Sequence, residues 1–84
     1  MIVRIRLFAM LRQRAGRDSL ELELDDDATV ADALRALQQR GPLAEVLGRV
    51  PVQMAVNRDY ATPSTRLSAD DELALIPPVS GGAG

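Results

Sequence analysis

The residues with the clearest capacity for chemistry lie near the carboxyl end of the chain, where Gly81 and Gly82 are followed by Ala83 and Gly84. Glycine has no Cβ, so a glycine-rich segment can enter a narrow groove that would reject other residues. Many glycine-rich ends are merely frayed, however, and the glycines alone do not decide between these two interpretations.

The rest of the chain lacks most of the side chains that catalyse covalent chemistry. Its 84 residues include no Cys, no His and no Trp, and all ten cationic side chains are Arg. The sequence therefore offers no thiolate, no imidazole base, no disulfide, no zinc site and no side-chain amine that could accept a ubiquitin-like chain. If the protein takes part in covalent chemistry, the reactive group is a terminus. Codon bias in a GC-rich source explains the absence of Lys equally well.

The glycine-rich tail follows an apolar run directly, without a linker. Residues 73–76 are typical of a buried strand, and Pro77 and Pro78 end it because each proline removes a backbone donor and fixes φ. We expect one domain at residues 1–78 and a flexible tail at residues 79–84, which the prolines direct away from the body.

Hydrophobic periodicity predicts the elements that must hold this tail. Strands are predicted at residues 2–8, 19–24, 52–56, 60–62 and 73–76, and helices at residues 9–15, 30–40 and 43–47. A hairpin, a crossing helix and further strands predict an α+β fold. We expect a mixed sheet with one main helix packed across it and one or two short helices.

Local signals mark the ends of the main helix. Thr29 is a good N-cap, and Asp32 stands where a capping box places an acidic residue. Gly41-Pro42 ends the helix. Asp25-Asp26-Asp27 lacks the glycine and the distal glutamate of a calcium loop, so we expect a solvated turn that the helix dipole favours, and no metal site.

Several segments resemble one family. The run from Ile76 to Gly82 resembles the ending of the small subunit of molybdopterin synthase, a sulfur carrier of the ubiquitin-like superfamily. Residues 54–57 and 67–73 resemble its segment of Ala-Val-Asn, a turn and an acidic pair, and residues 7–12 resemble its first strand running into a short helix. The thiamine-pathway sulfur carriers share the fold and the Gly-Gly. The resemblance implies a β-grasp (ubiquitin-like) fold in which the first and last strands pair in parallel.

The resemblance also implies a function. An E1-like adenylyltransferase would use ATP to adenylate the terminal glycine carboxylate, which would then become a thiocarboxylate. The tail would enter the large synthase subunit, in a heterotetramer, and donate sulfur to a cyclic pterin phosphate. The residues that would thread the tail into its partners are Pro77, Pro78, Val79, Ser80 and Gly81. The chain would not be catalytic alone and would bind no cofactor.

The family ends at its Gly-Gly, whereas this chain continues with Ala83-Gly84. We expect a C-terminal peptidase to remove these two residues, so that Gly82 reacts. The alternative is that Gly84 reacts in a partner with a deeper groove.

An apolar patch near the tail is the expected partner surface. Strand parity places Phe8 and Ile76 on the face opposite the core, with Tyr60 near the same sheet, and the resemblance implies that these three dock on the adenylyltransferase and the large subunit. Phe8 could instead close the core from a strand end. The arginines between Arg4 and Arg17 form either a solvated face or a rim that steers an acidic partner.

Two other functions stay open: a sulfur carrier for thiamine, cysteine or another acceptor, and a non-covalent ubiquitin-like adaptor whose tail is idle. A hydrophobic content of 46% with 26% charged residues is typical of globular proteins, and the net charge of −2 does not favour a nucleic-acid partner. The sequence shows neither a leader nor an apolar run of about 18 residues, so we expect a cytoplasmic protein with no membrane contact.

Overall fold

A computed structural model of the chain describes residues 1–39 and 41–78. The strands are β1 (Ile2–Leu7), β2 (Ser19–Glu23), β3 (Gln53–Val56), β4 (Asp59–Ala61) and β5 (Glu72–Ile76), and the helices are α1 (Ala9–Ala15), α2 (Val30–Gln39) and α3 (Ala44–Leu47). None of the helices in these ranges has the length and apolar content that a membrane span requires.

The strands form one mixed sheet in the order β2-β1-β5-β3-β4. β1 pairs with β2 as an antiparallel hairpin and with β5 in parallel, and β3 pairs antiparallel with both β5 and β4. The predicted α+β fold is therefore confirmed, and so is the parallel pairing of the first and last strands that the resemblance implied. The chain has a β-grasp arrangement, with its two terminal strands at the centre.

The two faces of the sheet differ in composition. Val3 and Ile5 of β1 and Leu73 and Leu75 of β5 are fully buried on one face, here called the inner face. They form one core with Val30, Ala33 and Leu37 of α2, Leu43, and Val46 and Leu47 of α3. The opposite face, here called the outer face, carries the alternate residues of each strand. Successive side chains in a strand point to opposite faces, so the alternation of apolar and polar residues decides which of them are buried.

The start of α2 follows the prediction. The backbone N–H of Thr29 donates to Oδ2 of Asp32 at 2.9 Å, and the N–H of Asp32 donates to the Thr29 hydroxyl at 3.3 Å. These reciprocal bonds form the predicted capping box. Two further N–H groups of the first turn, those of Val30 and Ala31, donate to the carbonyls of Thr65 and Pro63, so a distant loop completes the cap.

Several boundaries differ from the predictions by one residue. Phe8 is the N-cap of α1 and lies outside β1, and Val52 precedes β3. Asp59, predicted as part of the turn, opens β4, while Thr62 lies outside that strand. A two-residue turn is sufficient here because Asn57 and Arg58 both have positive φ. The predicted last residue of α2, Arg40, lies outside the described residues.

Candidate functional site

The chain leaves the sheet at the end of β5, beside the end of β1. Because these strands are parallel, with Leu7 opposite Leu75, their carboxyl ends lie at the same edge of the sheet. β5 ends at Ile76, after which Pro77 is buried and Pro78 is exposed. Whatever follows Pro78 therefore starts from this edge, here called the tail exit.

The predicted reactive residues cannot be placed in the fold. The residues outside the described ranges are the predicted reactive Gly82, its alternative Gly84, and the threading residues Val79, Ser80 and Gly81. The site that the structure does describe consists of the tail exit and the surface around it.

An open groove of about 390 Å³ lies beside the tail exit. It is lined by Pro51, Val52, Gln53, Ile76, Pro77 and Pro78. The lining is apolar except for Gln53, which is paired with Ile76 across β3 and β5. Local sequence patterns do not indicate that Pro51 and Val52 lie beside the tail exit, because this position depends on the register between distant strands.

Phe8 and Ile76 lie next to the tail exit. Phe8 continues β1 in an extended conformation (φ −124°, ψ 155°), so strand parity places it on the outer face. Ile76 follows the inward-facing Leu75 and therefore also belongs to the outer face. Both side chains are only half-buried, which fits a surface that a partner could cover.

Tyr60 lies on the same outer face, two strands away from Ile76. It is opposite Ala55, which is opposite Ala74, so the three residues form one row across β4, β3 and β5. Tyr60 is 81% exposed, whereas Ala55 is only 7% exposed. The small side chains of Ala55 and Ala74 form a shallow area beside the large exposed ring of Tyr60. We refer to Phe8, Ala55, Tyr60, Ala74 and Ile76 as the apolar patch.

The apolar patch extends the predicted partner surface by two residues. Ala55 and Ala74 were missed because each looks like an ordinary small residue within a strand. Only the pairing of β3 with β5 shows that they are neighbours on the outer face. Tyr60 is the exposed member of the apolar patch, and Phe8, Ala74 and Ile76 are half-buried. Apolar surface on a small domain is typical of a contact surface, and exposed aromatic residues contribute strongly to binding.

Arg6 borders the apolar patch on its β1 side. Cζ of Arg6 lies 5.4 Å from the centroid of the Phe8 ring, within the range of a cation–π contact. Nη1 of Arg6 lies 3.9 Å from Oε2 of Glu72 in β5. The arginine thus links the ring beside the tail exit to the strand that leads into it.

The segments that carried the family resemblance meet around Asn57. Its backbone N–H donates to the Glu72 carbonyl at 2.8 Å, its Nδ2 donates to Oδ1 of Asp71 at 2.9 Å, and its Oδ1 accepts the N–H of Glu72 at 3.0 Å. Oδ2 of Asp71 accepts the N–H of Ser68 at 2.7 Å. These bonds tie the β3–β4 turn to the start of β5, so the motif residues position the tail-bearing strand.

The acidic residues before α2 lie apart from the tail exit. The N–H of Thr29 is the largest cause that lowers the pKa of Asp32 below its ordinary value; burial opposes this, and the Thr29 hydroxyl and Arg35 lower the pKa further. Asp32 thus belongs to the helix cap. Asp25, Asp26 and Asp27 are exposed, and within residues 1–39 and 41–78 no cluster of acidic side chains is arranged to hold a metal ion.

Sequence comparisons with known proteins match nearly the whole chain. The profile of the ThiS family matches residues 5–82. The molybdopterin synthase sulfur carrier subunit of Arabidopsis thaliana is 36% identical over 80 aligned positions, covering 95% of this chain and 82% of that protein. Small archaeal modifier protein 1 of Haloferax volcanii is 40% identical over 84 positions, covering 92% of this chain and 97% of that protein.

Solved structures show the same fold. The crystal structure of the Haloferax volcanii protein superposes with a TM-score of 0.83 at 37% identity, covering 98% of this chain and 100% of that chain. A chain from the complex of subunits 1 and 2 of molybdopterin-converting factor from Helicobacter pylori superposes with a TM-score of 0.68 at 26% identity, covering 98% of this chain and 100% of that chain.

Proposed function

This chain belongs to the ThiS family of sulfur carriers, and on that premise we propose that it is the small, sulfur-carrying subunit of a molybdopterin synthase. The observation that carries the proposal is the position of the tail exit beside the apolar patch. A partner that covers Phe8 and Ile76 would lie within reach of the segment that follows Pro78. The similarity to a chain from a complex of two synthase subunits supports this choice of partner.

The chemistry proposed for the tail needs help from a partner. A carboxylate is a poor electrophile, so an E1-like adenylyltransferase would first join it to the AMP part of ATP and release pyrophosphate. Sulfide supplied by a partner would then attack the acyl carbon, displace AMP and leave a C-terminal thiocarboxylate. In the large subunit, the thiocarboxylate sulfur would attack a carbon of a cyclic pterin phosphate and displace the oxygen bonded to it. Hydrolysis of the resulting thioester would then leave the sulfur on the pterin and restore the carboxylate of the carrier. The carrier supplies a backbone that fits a narrow groove, and its partners supply the catalytic groups.

We place the reactive carboxylate on Gly82. The match to the ThiS family ends at this residue, which supports Gly82 as the functional end. Two further residues would lengthen an extended tail by about 7 Å, and a misplacement of about 1 Å can reduce a rate about a hundredfold. A C-terminal peptidase would therefore have to remove Ala83-Gly84 before loading. Reaction at Gly84 requires a partner with a correspondingly deeper groove.

A second candidate function is sulfur delivery or protein modification with a different acceptor. The chain is 40% identical to small archaeal modifier protein 1 and 36% identical to the plant synthase subunit. These comparable identities support the second candidate function. Growth of a deletion strain separates the candidates. Loss of molybdoenzyme activity with normal growth in the absence of thiamine and cysteine supports the synthase, whereas normal molybdoenzyme activity excludes it.

The intact mass of the protein recovered from its source cells, with mapping of the C-terminal peptide, tests the reactive end. We expect molecules that end at Gly82, and we expect a fraction of them to show the increase in mass that results when sulfur replaces one oxygen. In a reconstituted reaction with the adenylyltransferase, ATP and a sulfur donor, a chain ending at Gly82 should be loaded, whereas the same chain with Gly82→Leu should not. Unimpaired loading of the Leu variant would exclude Gly82 as the reactive residue.

If removal of residues 79–84 changes neither partner affinity nor phenotype, the protein is a non-covalent adaptor.

A further inference from the structure

Arg6 occupies a distinct position on the outer face. It lies opposite Ala74 of β5, and therefore in the same row across the sheet as Ala55 and Tyr60. Three strand spacings separate the backbones of Arg6 and Tyr60, roughly 14 Å. On its other side Arg6 is opposite Ser19 of β2. Arg6 is thus the only charged residue in this row of five, and Ala74 and Ala55 lie between it and Tyr60.

The guanidinium of Arg6 contacts two groups, and neither contact uses a hydrogen-bond donor. The Phe8 ring, 5.4 Å away, interacts with its charge and uses no N–H donor. The Glu72 carboxylate, at 3.9 Å, lies beyond hydrogen-bond distance. The guanidinium makes no hydrogen bond to any residue in the described part of the chain, although it has five N–H donors. The side chain is 44% exposed, so a partner can reach it.

The neighbouring arginine on the same strand has different surroundings. Arg4 lies between Glu21 of β2 and Glu72 of β5, so carboxylates flank it in its own row. A shallow recess of about 200 Å³ at this side of the sheet is lined by Arg4, Arg6, Asp18, Ser19 and Glu72. The two arginines and the two carboxylates of this recess have no net charge together, and Arg6 is the residue among them that borders the apolar patch.

We propose that Arg6 is a polar anchor of the partner-binding surface, and that the large subunit presents a carboxylate to it beside the apolar patch. This inference rests on the proposed function, because it adds a recognition element to the surface that would bind the synthase partner. A guanidinium held by Phe8 loses less freedom when it binds, and its planar donors fit a carboxylate. The partner would also remove water from the contact, which strengthens the interaction of Arg6 with both the ring and the carboxylate.

The test measures the dissociation constant of the full chain with the large subunit from the same source, by titration calorimetry at low and high salt. Arg6→Met removes the charge and keeps an apolar stem, Arg6→Lys keeps the charge without the planar donors, and Arg4→Met is the matched control. We expect Arg6→Met to weaken binding about tenfold or more, Arg6→Lys to recover part of the loss, and Arg4→Met to have less than about a threefold effect. The loss in Arg6→Met should shrink at high salt. Thermal unfolding checks that each variant is folded, and Arg6→Gln replaces Arg6→Met if that variant is not.

The carboxylate is identified by exchanging each interface Asp and Glu of the large subunit for its amide. One exchange should weaken binding to the wild-type chain and have little further effect on Arg6→Met. The inference is overturned if the wild-type chain binds and Arg6→Met binds equally well, if Arg4→Met loses as much affinity as Arg6→Met, or if no carboxylate is coupled to Arg6. Failure of the wild-type chain to bind the large subunit rejects the proposed synthase function instead, and this inference falls with it.

Discussion

At the scale of single residues, the least predictable feature is the backbone conformation of non-glycine residues at turns. Ala9, Asn57, Arg58 and Asp70 all have positive φ. Asparagine and aspartate adopt this conformation readily, but alanine and arginine do not. Ala9, the first residue of α1, makes the sharp bend directly after Phe8, and Arg58 is the second residue of the turn between β3 and β4. Both unfavourable conformations therefore lie beside aromatic members of the apolar patch.

Arg58 offers a direct measurement of this strain. Its φ is 76°, at the second position of a turn that favours glycine there. We expect Arg58→Gly to raise the free energy of unfolding by up to about 1 kcal/mol, because glycine relieves the left-handed conformation. Urea denaturation measures the change. Arg58→Ala is the control, since it removes the side chain but keeps the strain. An equal gain in both variants would assign the effect to the side chain.

At the scale of elements, the sequence correctly predicted the features that depend on residues close together along the chain. The capping box of Thr29 and Asp32 and the alternation of buried residues in β1 are local patterns, and both were correct. The contacts of Asn57 with Asp71 were not predictable, because 14 residues separate the two partners along the chain. The groove beside the tail exit was missed for the same reason. Its lining is assembled by pairing distant strands, and no periodicity encodes their register.

The capping box predicts a pH dependence of stability. The pKa of Asp32 is lowered below its ordinary value of 3.8, chiefly by the Thr29 N–H. As the pH falls, the unfolded state therefore binds this proton first. The stabilisation is complete above the unfolded pKa and is lost as the pH falls through the folded pKa. We expect the wild-type chain to be more stable than Asp32→Asn at neutral pH, and the difference to vanish in acid.

Urea denaturation from about pH 7 to about pH 3 measures this difference. Thr29→Ala is the control, because it removes the hydroxyl and keeps the backbone N–H that is the largest cause of the shift. This variant should lose about 1 kcal/mol of stability at neutral pH. It should still show most of the pH dependence of the wild type. A constant difference between Asp32→Asn and wild type at every pH would contradict the role of the ionised carboxylate.

At the scale of the whole molecule, the sheet divides stability and recognition between its two faces. The inner face and the helices form one core, while the outer face carries the charged rows of β1 and β2 on one side and the apolar patch on the other. A chain of about this size buries only about 60% of its unfolded surface, so the loss of a single core contact lowers its stability noticeably. The central position of β5 places both roles on one strand, immediately before the tail exit.

Two adjacent residues of β5 test this division. Leu75 is fully buried on the inner face, whereas Ile76 is half-buried on the outer face beside the tail exit. We expect Leu75→Ala to lower the free energy of unfolding by about 2–5 kcal/mol, a large part of the stability of a small domain. Ile76→Ala should cost less than about 1.5 kcal/mol yet weaken binding to the large subunit about tenfold, because it removes a contact from the apolar patch. Urea denaturation and titration calorimetry on both variants measure the two effects. If Ile76→Ala destabilises the fold as strongly as Leu75→Ala, the outer face is part of the core; if it binds as tightly as wild type, the apolar patch does not extend to the tail exit.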